Sequence, residues 1–176
     1  MTRLRAIAAL AAMLTALLLQ ATLVAPLSLL APASLPAVLV AAVALAEGPA
    51  AGMSLGFALG LLADLGSRHP AGVFALCWLG LGLVAGSTAG RRSVRGDAAM
   101  AAVLCTVSAA ASCLLLILVH ADGVTLAESI RTLTPAGLVD ALLALPVVVL
   151  VRAAVRSDTL APAHPVADLS GPSRRA

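Results

Sequence analysis

From Ala98 to Val119 the chain runs for 22 residues without one charged side chain. Coiled as an α-helix, a run of that length rises about 33 Å, enough to cross the roughly 30 Å hydrocarbon core of a bilayer. The rest of the chain agrees with it: 61% of residues are hydrophobic and only 11% are charged. A soluble domain carries about a quarter charged residues, and so few polar side chains would not cover the surface of a water-soluble fold. A backbone in lipid must also satisfy its own hydrogen bonds. An all-α polytopic membrane protein follows, with about six helices in one compact bundle.

The spans are read from the apolar runs and their breaks. Leu4 to Val24 follows Arg3 and is longer than the apolar core of a signal peptide, about 7–15 residues, so it is expected to be a retained first helix. Pro26, Pro32 and Pro36 mark a non-helical stretch before a second helix from Ala37 to Ala46. Glu47-Gly48-Pro49 breaks the chain, Ala50 to Asp64 forms a third helix, and Gly66 to Pro70 a polar turn. Ala71 to Ala89 is the fourth helix, Gly90 to Asp97 a basic loop, and Ala98 to Val119 the fifth helix. Pro135 to Val151 is the sixth, with Thr134 as N-cap and Pro135 at the first helical position. Before it, Leu126, Ile130 and Leu133 have the spacing of a short helix lying on the membrane surface. Residues 1–156 thus make one transmembrane domain, and the proline-rich residues 157–176 a disordered cytoplasmic tail.

Helices 2 and 3 are short, since fifteen residues rise only about 22 Å. They either cross the membrane with their ends shielded by neighbours or form a re-entrant hairpin. Six crossings from a cytoplasmic amino terminus place Arg3, Arg5, Arg91, Arg92, Arg95, Arg152, Arg156, Arg174 and Arg175 inside, and only Arg68 and Arg131 outside. This bias fixes both termini in the cytoplasm and favours crossing, although a hairpin would leave the downstream parity unchanged.

Few residues are candidates for chemistry. Gly52, Gly56, Gly60 and Asp64 recur every four positions along helix 3, and Gly82 and Gly86 repeat the pattern on helix 4. Such ridges let backbones approach closely. Packing of the two helices on each other is the favoured reading, and reception of a helix from another protein is the alternative. Asp64 and Asp140 are acids within apolar segments near the same membrane face. Either they line a small polar site between helices 3 and 6, or each is interfacial, with Asp140 favoured by the dipole in the second turn of helix 6. Arg91, Arg92 and Arg95 form a cytoplasmic basic loop. Cys77, Cys105 and Cys113 lack CxxC spacing and are expected to be apolar packing residues. His69 and His120 lack a metal-like partner. No catalytic constellation, metal site, cofactor motif or nucleic-acid signature stands out, and polar residues are too few to line a pore.

The run Leu35-Pro36, Glu47-Gly48-Pro49, Gly52, Gly56-Phe57, Gly60-Leu61, Asp64-Leu65, Gly72 and Ala75-Leu76, followed by the glycine-rich helix 4, resembles the rod shape-determining MreD family. The likeness is best over residues 14–90, faint in helix 5, and returns with Pro135, Leu138, Asp140, Leu142 and Pro146. It departs at Ala37, where the family often has an acid, and in helix 4, where the aromatics are reduced to Phe74 and Trp78. The resemblance implies a non-enzymatic scaffold of the bacterial inner membrane that acts in cell-wall elongation. Its implied partners are an MreC-like single-span protein, a RodA-type glycosyltransferase with its transpeptidase, MreB-like filaments, and membrane lipid. The family is also similar in fold to the substrate-binding subunits of energy-coupling-factor vitamin transporters. That gives an alternative reading, against which the poverty of polar groups argues.

Overall fold

The computed structural model describes residues 3–24, 34–67, 71–90, 92–119 and 126–156. Six α-helices run through them: α1 Arg3–Leu19, α2 Leu35–Glu47, α3 Pro49–Leu65, α4 Val73–Ser87, α5 Val94–Leu118 and α6 Leu126–Arg156. A π-helical turn, Gln20–Val24, continues α1. No strand occurs among the described residues. Two helices are long and apolar enough to cross a bilayer alone, α5 and the Ser129–Val155 stretch of α6.

The shortest helix stands at the centre. α2 has 13 residues and touches α1, α3, α4, α5 and α6. Val38, Val40, Ala41 and Ala44 lose all their exposure there. A helix that is apolar all round is stable when it is enclosed all round, and enclosure by protein removes the need to match the lipid thickness. α3, α4, α5 and α6 pack in chain order around it, while α1 lies on α2.

The polarity of this bundle is inverted relative to a water-soluble protein. Leu65, Leu76, Val103, Val107, Leu114, Leu118, Leu138, Leu142 and Leu150 point outward, whereas Asp64, Asp97 and Asp140 are buried. On α5 the two kinds alternate with the helical period, Val103, Val107 and Leu114 outside and Cys105, Ser108, Ser112 and Leu116 inside. An outer surface of large apolar side chains suits hydrocarbon.

The break at Glu47-Gly48-Pro49 is as short as a break can be. Gly48 alone separates α2 from α3, at φ 95° and ψ −177°, a region that residues with a Cβ rarely enter. Its N–H donates to the Ala44 carbonyl at 2.8 Å, and its carbonyl accepts from Gly52 N–H at 3.2 Å.

Several boundaries differ from those expected, most of all at the starts of α6 and α5. α6 does not start at Pro135: the segment expected to be a separate surface helix is its first part, and both Pro135 and Pro146 lie inside the helix. Ser129, Ala136, Asp140, Ala144 and Val148 form one buried stripe through Pro135. Its burial offsets a proline penalty of about 3 kcal/mol. Likewise the loop expected over Gly90 to Asp97 ends early, because Ser93 caps α5 by accepting from Gly96 N–H at 3.1 Å. Arg95 and Asp97 therefore lie on the first turn of α5, and Arg92 just before it. Arg91, Arg68, the Pro26–Ala33 loop, His69, His120 and residues 157–176 lie outside the described residues.

Candidate functional site

The glycine ridge faces inward along its whole length. A Cβ at Gly52 would meet Ala44 and the Gly82 carbonyl, one at Gly56 the Trp78 carbonyl, and one at Gly60 the backbone of Phe74 and Ala75. From the other side, a Cβ at Gly82 would meet Gly52, and one at Gly86 would meet Pro49. Gly52, Gly56, Gly60, Gly82 and Gly86 are thus brought together as one intramolecular seam between α3 and α4.

Asp64 and Asp140 are not brought together. The Asp64 carboxylate accepts from Gly72 N–H at 2.8 Å, Phe74 N–H at 3.1 Å and Ala75 N–H at 3.0 Å. It caps the start of α4 from the end of α3, where three donors would otherwise lack partners. Asp140 accepts from Ser34 N–H at 2.9 Å, and the Gln20 side-chain oxygen accepts from Leu35 N–H at the same 2.9 Å. Those two residues cap the start of α2 from α6 and from the π-turn. α3 and α6 make no extensive contact among the described residues. Each acid serves a different helix start. Asp140 lies fourteen residues into α6, so the positive end of its own helix, invoked from the sequence, is replaced by that of α2.

A third buried acid was missed in the sequence. Asp97 pairs with Arg152, whose guanidinium also donates to the Arg92 carbonyl at 3.0 Å. This ties the start of α5 to the end of α6 at the basic end of the bundle. The other oxygen of Asp97 has no hydrogen-bond partner. A signal was present: Asp97 is the one acid among Arg91, Arg92 and Arg95, and Arg152 is the first charge after the apolar run of α6. Gln20 was also visible as the only side-chain amide in the sequence.

At the end away from Arg152, a cavity of about 540 Å³ opens above the start of α2. Its wall includes Leu17 and Gln20, Pro36 and Ala37, Leu62, Phe74 and Trp78, the inner face of α5 from Cys105 to Leu116, and Leu133 and Ala136. The Phe74 and Trp78 rings stack at 5.5 Å between centroids. Neither Asp64 nor Asp140 lines it. Cys77, Cys105 and Cys113 are free thiols, and among the described residues no three His, Cys, Asp or Glu are grouped to hold a metal.

Compared with known proteins, residues 2–157 match the family model of rod shape-determining protein MreD. No curated protein and no solved structure gives a significant match.

Proposed function

Because the chain belongs to the MreD family of rod shape-determining proteins, matched over residues 2–157, we propose that this cell-shape-determining membrane protein is a non-enzymatic scaffold of the wall-elongation machinery. It crosses the bacterial inner membrane six times with both termini in the cytoplasm. Its partners are an MreC-like single-span protein and, through it, a RodA-type glycosyltransferase with its transpeptidase and MreB-like filaments.

The family match carries this reading, and three features agree with it. Buried acids and glycines are engaged in holding the helices to one another, which suits a rigid body better than a catalyst. The basic end, with Arg92, Arg95 and Arg152, belongs in the cytoplasm under the positive-inside bias. Among the described residues the cavity wall contains no charged side chain, whereas a water-soluble vitamin needs several convergent polar groups. That favours the scaffold over the transporter subunit.

Affinity purification of the mildly solubilised full-length protein from its own membrane tests the reading. Co-purification of the single-span partner or wall-synthesis enzymes is expected. Recovery of a pair of transporter ATPases in their place would overturn it.

A further inference from the structure

The cavity above α2 has a physical origin and a chemical character, and the scaffold role uses neither. α2 begins opposite Asp140, fourteen residues into α6. Because Gln20 and Asp140 satisfy its first N–H groups, α2 can start inside the protein, and the cavity lies at that start among the described helices. The resulting volume of about 540 Å³ falls in the range of small-ligand sites, about 300–1,000 Å³.

Its lining selects the occupant. Among the described residues no Arg, His, Asp or Glu contributes to the wall, so an ion or a charged headgroup held against them would lose hydration without a counter-charge. Leu17, Leu62, Phe74, Trp78, Leu116 and Leu133 contribute large apolar side chains to it. One polar group is left over. Ser108 is buried at the wall, and its hydroxyl has no hydrogen-bond partner, while the neighbouring Ser112 hydroxyl donates to the Ser108 carbonyl at 2.9 Å. A buried hydroxyl without a partner is uncommon and marks a place where a partner is due. Leu62 and Leu18 are exposed beside the cavity, so hydrocarbon lies at its edge.

We infer that this cavity binds an acyl chain of a membrane phospholipid, with the methylenes against the Phe74–Trp78 wall and an uncharged oxygen of the lipid accepting from the Ser108 hydroxyl. The site is independent of the scaffold reading, since neither the glycine seam nor the basic end takes part in it.

The test is photolabelling of the full-length protein in phosphatidylethanolamine–phosphatidylglycerol vesicles, using a phosphatidylethanolamine with a diazirine in one acyl chain. Adducts are expected on peptides carrying 62–66 and 108–116. Ala109→Trp, which fills the cavity from its wall, is expected to lower the adducts at 62–66 at least fivefold. Ala110→Trp, on the exposed neighbouring position, is expected to leave them unchanged, and elution of both variants as wild-type monodisperse species checks folding. Labelling confined to outward residues such as Leu118 and Leu142, and equal in both variants, would overturn the inference. Loss of a co-purifying protein in Ala109→Trp with no change in lipid adducts would overturn it too, and would assign the cavity to a partner's side chain.

Discussion

Replacing Asp64 with alanine removes the acceptor of three backbone N–H groups at the start of α4. The loss of an N-cap alone costs about 0.5–2 kcal/mol. Here the carboxylate is 3% exposed, so water cannot easily take its place, and each hydrogen bond to a charged group contributes about 1.5–3 kcal/mol. Three such bonds would sum to about 4.5–9 kcal/mol and the cap alone to about 0.5–2 kcal/mol, and a loss of about 4 kcal/mol, between the two, is expected. For a chain of this size that lowers the melting temperature by about 8–16 °C. Asparagine should cost less. Its single amide oxygen can keep the bonds to Gly72 and Ala75, which share one carboxylate oxygen in the native residue, while its amide nitrogen faces the Phe74 N–H unproductively. About 2 kcal/mol is expected for that change. The assay is stepwise heating of the full-length protein in mild detergent, followed by size-exclusion chromatography of what remains soluble. Glu47→Gln, at an exposed helix end, serves as the control. A melting point for Asp64→Ala within about 2 °C of wild type would refute the capping argument. If that variant also lost its partners while staying stable, Asp64 would be a contact residue instead.

Three further outcomes follow from the same geometry. Gly56→Leu should abolish the monodisperse species by driving a side chain into the Trp78 carbonyl, overpacking that costs about 3 kcal/mol or more; Gly80→Leu, with nothing within 4 Å of its Cβ position, should elute as wild type. Gly48→Ala should lower stability by about 1–3 kcal/mol through backbone strain alone, read as a lower melting point, although that position also has open space. Arg152→Ala should destabilise more than Arg95→Ala by leaving Asp97 buried and unpaired, and adding Asp97→Asn should recover part of the loss; additive effects in this double-mutant cycle would sink the pairing.

The number and order of helices were legible because each apolar run is long and each break carries strong punctuation. Glu47-Gly48-Pro49 could be read to the residue, since glycine and proline act on the backbone locally. Thr134-Pro135 misled for the same reason: it has the local form of a helix start, yet a buried stripe from Ser129 to Val148 continues through it. Which face of a helix turns inward was much harder to read. In a chain this apolar the lipid-facing and core-facing sides both consist of Leu, Val and Ala, so periodicity carries little contrast. The glycine seam was the exception, because a missing Cβ has meaning only where a backbone comes close. The helix starts that Asp64 and Asp140 cap were out of reach, because the donors there are backbone N–H groups, which every residue but proline has.

Those carboxylates also explain how helices as short as α2 and α4, of 13 and 15 residues, belong in a bundle with α5 and α6, of 25 and 31. In water a helix start can be satisfied by solvent at any depth of the surface, but in a hydrocarbon environment it must reach the interface or find acceptors within the protein. Asp64, Asp140 and Gln20 are such acceptors, each supplied by a neighbouring helix end or flank. Capping therefore sets the depth at which α2 begins, and that depth sets the size of the space above it. Asp140→Leu, which keeps the bulk but removes the acceptor, should thus loosen the start of α2 and change lipid labelling of the cavity together. A change in one without the other would separate the cap from the cavity.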